Sequence, residues 1–205
     1  MKISKKMIAL MMSLMLIIGG AAGGTIAWLM DTTDPITNTF TTSDVDIELA
    51  ETTGNTYKMV PGDVIEKDPK ITVNAGSEAC YLFVKIEKTG NYDTYLEEYS
   101  IAGGWTELEA GSGVYYRTVD ANQTGSPYYV LGGTGNGSLT VKNTVTKADM
   151  ALIDGVADSE RTIEEEIADR PTLKFTAYAI QSENLTDTDT DGDVDPIDAW
   201  TLINS

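Results

Sequence analysis

The stretch "CYLFVKIEK", Cys80 to Lys88, alternates its side-chain character over its whole length. Successive side chains leave a β-strand on opposite faces, so a period of two predicts a strand. Cys80, Leu82, Val84 and Ile86 then share one face, while Tyr81, Phe83, Lys85 and Glu87 share the other. A wholly apolar face of four residues needs a second layer to cover it. Cys80 reads here as a small buried apolar residue and not as a nucleophile.

Working outward, "VDIEL" sets Val45, Ile47 and Leu49 against Asp46 and Glu48, and "TLKFTAYAIQ" puts Leu173, Phe175, Ala177 and Ala179 on one face. Further strand candidates are "KITVN", "GWTELE", "GVYYRTV", "SPYYVLG" and "SLTVKN", separated by turn-rich pieces such as "GTGNGS" and "ANQTGSP". Many short strands with frequent turns predict an all-β fold, an antiparallel β-sandwich of jelly-roll type. Helices are minor. "SERTIEEEIADR" predicts a short acidic helix before Pro171 with Ile163 and Ile167 on its inner side, and "DAWTLIN" a terminal one. No internal repeat and no dividing linker is visible.

The beginning of the chain has a different character. Lys2, Lys5 and Lys6 precede the apolar run "MIALMMSLMLII", Met7 to Ile18, and small residues follow up to Ala27. This is the layout of a secretory signal, with cleavage expected between Ala27 and Trp28. The expected organisation is a signal peptide over 1–27, an extended arm over 28–42 and a β-sandwich domain over 43–205. The rival reading retains the leader as an anchor, since no charge interrupts Met7 to Met30.

Composition narrows the chemistry. The chain carries 14 basic and 32 acidic residues, a net charge of −18, which becomes −21 when the three leader lysines are removed. Such a surface repels phosphate backbones, so nucleic acid is excluded as an expected partner. One cysteine allows no disulfide within the chain. There is no histidine, which removes Ser-His-Asp and Cys-His mechanisms and every His-containing zinc site. The chain is expected not to be an enzyme.

The sharpest chemical signal is "DTDTDGDVDPID". Asp187, Asp189 and Asp191 stand at positions one, three and five of a twelve-residue loop, with Gly192 at six, Val194 at eight and Asp198 at twelve. Alternate oxygens converge on a hard cation when the backbone curls around it, and glycine permits the sharp turn at six. One Ca²⁺ is the expected cofactor. Asp193 would offer its carbonyl, Asp195 a ligand direct or through water, and Asp198 the closing carboxylate, while Val194 would pin the loop to the core. The pattern resembles a dockerin or EF-hand-like loop, in one copy where dockerins carry two. A solvated acidic turn is the plainer alternative.

The first part of the chain also resembles a family. "GGTIAWLMDTTDPITNTFTTSDVDIEL" is similar to the export signal and first strand of the TasA/camelysin family, through Gly23, Gly24, Thr25, Ala27, Trp28, Asp31, Thr32, Asn38, Thr39, Phe40, Glu48 and Leu49. "MVPGDVIEKDPKITVNAGSEACYLFVKIE" resembles that family's Pro-Gly, Lys-Asp-Pro and Asn-x-Gly-Ser blocks, and "AYAIQ" its final strand. Residues 88–170 match in general character alone. The resemblance implies a jelly-roll sandwich, export with cleavage by a SipW-type signal peptidase, and a place on the cell surface or in the biofilm matrix of a Gram-positive bacterium. Self-association into fibres is the implied partnership, with matrix or surface polymers as further partners and the membrane met through the leader alone.

A mechanism for fibres follows if residues 28–42 stay extended, because Trp28, Leu29, Ile36 and Phe40 are then buried by adding to a neighbouring subunit's sheet. The alternative is that the arm forms the first strand of its own domain. Two other functions compete: a calcium-dependent camelysin-like peptidase, and a monomeric adhesion module using Tyr115, Tyr116, Tyr128 and Tyr129 as contacts.

Overall fold

The computed structural model describes residues 44–54, 56–123, 125–154 and 162–205, without the side chains of Glu166 and Ile167. The leader, the Ala27–Trp28 junction and the arm lie outside these residues. Nine strands are described, all paired antiparallel: β1 (Ile47–Ala50), β2 (Val64–Glu66), β3 (Lys70–Val73), β4 (Cys80–Lys88), β5 (Thr106–Glu107), β6 (Val114–Val119), β7 (Pro127–Tyr129), β8 (Ser138–Thr140) and β9 (Leu173–Gln181). Short helices α1 (Tyr92–Tyr95), α2 (Lys147–Ala151), α3 (Ile163–Ala168) and α4 (Pro196–Ile203) lie between or after them. The fold is predominantly β, as the alternation predicts, and among the described residues no helix is long and apolar enough to cross a membrane.

The strands form a three-stranded sheet in the order β1-β3-β7, a two-stranded ribbon β2-β8 and a four-stranded sheet in the order β5-β6-β4-β9. Strand β4 is the axis of the largest sheet. It pairs over all nine residues with β9, from Cys80 opposite Gln181 to Lys88 opposite Leu173. On its other side it pairs with β6, from Cys80 opposite Val119 to Lys85 opposite Val114. Gly113 enters β6 with φ +68, and a Cβ there would lie 2.8 Å from the Ile86 carbonyl oxygen, so only glycine lets β6 start so close to β4.

Register decides which side chains meet. Cys80, Leu82, Val84 and Ile86 face a core shared with Ile71 and Val73 of β3, Val119 of β6 and Val130 just after β7. Val45, Ile47, Leu173, Phe175, Ala177 and Ala179 pack against the same cluster. The inner core thus draws on both larger sheets. Leu49, expected beside Val45 and Ile47, is 39% exposed on the edge strand β1.

A second cluster caps one end, where α1 brings Tyr92 and Tyr95 against Leu96, Val141, Val145 and Ile153. Alternation could not reveal α1, a single turn held by the burial of its two tyrosines. Helix α2 was legible in retrospect, since Thr146 and Asp149 form a reciprocal capping box. Ile163 on α3 is exposed, contrary to the inner placement expected for it; no apolar cluster lies against that side chain.

The Lys67-Asp68-Pro69 block just before β3 is a polar latch. Asp68 accepts from the Thr52 and Thr53 backbone N–H groups at 2.8 and 3.0 Å and from the Thr52 hydroxyl. The Thr52 hydroxyl, helped by the backbone donors, holds the Asp68 carboxyl at about 2, below its ordinary value. Lys67 is buried and its Nζ lies 2.6 Å from Glu51. Together these groups fasten the segment after β1 to the start of β3.

Candidate metal centre

The acidic loop runs from the end of β9 to the start of α4. Its curl is built by carboxylates accepting from backbone donors further along the loop. Asp187 accepts from Thr190 N at 2.6 Å and Gly192 N at 3.0 Å, Asp189 from Asp191 N at 3.2 Å, and Asp191 from Asp193 N at 2.9 Å. Gly192 takes φ +99, as the turn at position six requires, and Thr190 is also left-handed at φ +65.

This winding brings oxygens of Asp187, Asp189 and Asp191 within 4.8 Å of one another, an arrangement that could hold a metal ion. Asp187 is half-buried and the other two are exposed. At Asp189 the Asp191 N–H favours ionisation, yet desolvation and the charges of Asp191, Asp198 and Asp187 together raise its pKa above the ordinary value. A cation would relieve that repulsion. Three hard oxygen donors suit an oxygen-seeking ion, with remaining positions left to carbonyls and water.

Two of the other three expected ligands are also engaged in hydrogen bonds of the loop and helix. Asp195 is the N-cap of α4 and accepts from Ile197 N at 2.7 Å and Asp198 N at 3.3 Å. Asp198 is fully buried and accepts from the Thr188 backbone N–H, from the Thr188 hydroxyl at 2.7 Å and from Asp195 N at 3.0 Å. Those donors, Thr188 N–H foremost, hold its carboxyl at about 2. Asp198 therefore closes the loop by hydrogen bonding to it. Asp193, expected to offer its backbone carbonyl, donates its N–H to Asp191 at 2.9 Å.

Val194 does not pin the loop: it is 44% exposed. The anchoring is done by Leu185, Ala199, Trp200 and Ile203, which pack with Phe83 and Val114 on the outer face of the four-stranded sheet. The Trp200 ring centroid lies 5.3 Å from that of Phe83 and 5.2 Å from that of Tyr178, the latter edge-on. Loop and helix are thus one unit clamped over β4 and β9. Thr188 escaped sequence reasoning because a threonine between aspartates carries no pattern of its own.

Elsewhere, Cys80 is buried and its thiol is pushed up to about 11 by that burial. Tyr115, Tyr116, Tyr128 and Tyr129 are half-buried, with Tyr115 and Tyr128 on the inner core and Tyr116 on the outer cluster. Comparison with protein-family models gives no match, and comparison with curated proteins gives none either.

Proposed function

We propose that this chain is an exported structural protein of the TasA/camelysin type, a β-sandwich of jelly-roll type that serves as a cell-surface or biofilm-matrix subunit and assembles by strand addition. The observation that carries this reading is the outer edge of β9. It is the terminal strand of the four-stranded sheet and runs for nine residues with no described strand on its outer side. A long strand edge of this kind is a template for another segment of chain. The described fold begins at Asp44, and Asp44 and Val45 line a shallow recess with Ala179, Ile180 and Gln181 of β9. The arm of one copy adds to that edge on the next. Export proceeds through the leader, with cleavage between Ala27 and Trp28 by a SipW-type peptidase.

The metal in this reading is a single Ca²⁺ at Asp187, Asp189 and Asp191. When bound, it neutralises the clustered carboxylates and steadies the loop from which α4 hangs.

Electron microscopy of the exported protein, with and without millimolar calcium, tests both parts. Fibres are expected from the intact protein and none after deletion of residues 28–42. Fibres from the deletion variant would defeat strand donation by the arm. Calorimetry should show saturable calcium binding that is lost when Asp189 and Asp191 are both replaced by Asn; equal binding by that variant removes the site.

A further inference from the structure

Among the described residues, buried Lys67 meets Glu51 and half-buried Lys88 meets Asp93 and Glu98. Arg117 does not. It lies on β6, on the inner face with Tyr115 and Val119, and no described carboxylate pairs with it. Its Nε is buried without a hydrogen-bond partner. A half-desolvated cation with an unused donor is costly in a protein so rich in acids, and calls for an acceptor from outside.

The surroundings keep the guanidinium ready. Its central carbon lies 3.9 Å from the Tyr128 ring centroid and 5.5 Å from that of Trp105, so aromatic faces hold the charge. Trp105 is fixed by donating its Nε1–H to the Tyr129 carbonyl at 2.8 Å. Gly104 packs against the terminal nitrogens: a Cβ there would lie 3.2 Å from Nη2 and 3.4 Å from Nη1, so glycine is what lets the backbone come so close. Strands β5 and β7 each end their sheet, and the Trp105–Tyr129 bond brings those two ends together next to Arg117.

We propose that Arg117 anchors a binding site for an extended acidic peptide, whose carboxylate takes the free guanidinium donors where β5 and β7 end their sheets. A carboxylate is planar and matches the guanidinium fork. The two rings are engaged with the guanidinium, so the site offers donors to an acid instead of a bare platform to a sugar ring. Polymers dense in negative charge are repelled by the net −18, and a peptide with few carboxylates loses least to that repulsion. The exposed edge of the two-residue β5 gives such a peptide backbone partners beside the fork.

The test is an NMR titration of the ¹⁵N-labelled exported protein, watching the Arg117 Nε–H and Trp105 Nε1–H signals. The probes are Ac-Thr-Glu-Thr-Asp-Thr-amide, the same peptide with Gln and Asn in place of its acids, and trigalacturonate. The acidic peptide should move both signals saturably, and the amide version should bind at least ~10-fold more weakly. Arg117→Gln should abolish the response. Arg117→Lys, the milder change, should keep the fold with weakened binding. Equal binding by the two peptides, or unmoved signals up to ~20 mM peptide, overturns the proposal. Tighter binding by trigalacturonate overturns the choice of a peptide.

Discussion

The two faces of β4 are covered in different ways. On the inner face, Cys80, Leu82, Val84 and Ile86 meet Ile71 and Val73 of a second sheet. On the outer face Phe83 is equally buried, but its cover is a C-terminal helix held at the end of an acidic loop. The inner face is closed by the architecture itself. The outer face is closed by a loop-and-helix unit whose turns are held by carboxylates.

That contrast sets the order of expected effects. Leu82→Ala should cost about 3 kcal/mol in chemical denaturation, because the inner core cannot collapse into the space of a fully buried leucine. Trp200→Ala should cost roughly 2 kcal/mol, less than a core tryptophan because the ring is half-exposed, and should loosen α4 while leaving the sheets intact. Amide hydrogen exchange separates the two outcomes: protection along β4 falls in the first variant and protection in α4 in the second. Equal loss in both places would erase the distinction between the faces.

The latch before β3 supplies a smaller, polar test. Asp68→Ala should cost about 1–2 kcal/mol, since it strands the Thr52 and Thr53 donors. The folded carboxyl, at about 2, lies below its ordinary value of 3.8, so its contribution is complete above about pH 4 and disappears as pH falls toward 2. Asp68→Asn should therefore flatten the stability profile across that acid window relative to the parent protein. Smallest of all, Val194→Ala should change stability by no more than about 0.5 kcal/mol, since the side chain is largely exposed. A loss several times larger would reinstate Val194 as the loop's anchor.

Sequence reading reached the strands because alternation is imposed by backbone geometry and survives in the side chains. The nine-residue strands β4 and β9 and the inward set Leu173, Phe175, Ala177 and Ala179 were legible for that reason, while their pairing with each other was not. What covers the opposite face was not. Tyr81, Phe83, Lys85 and Glu87 alternate correctly for a wetted surface or a covered one, and only the arrival of Ala199 and Trp200 decides it. At the loop, spacing identified Asp187, Asp189 and Asp191, whereas the roles of Asp195 and Asp198 turned on helix capping and on Thr188. Three-residue β2 was missed because so short a strand cannot express a period.

The sealing of Cys80 at the start of β4 bears on the assembly proposed above. A thiol without solvent access, and reluctant to ionise, forms no bridge to its counterpart in another molecule while the fold is intact. Oxidising surroundings therefore leave no covalent weld between subunits through sulfur. In the assembly proposed above, attachments would rest on strand edges alone and stay exchangeable, so that such a filament would mend a break by taking up fresh units.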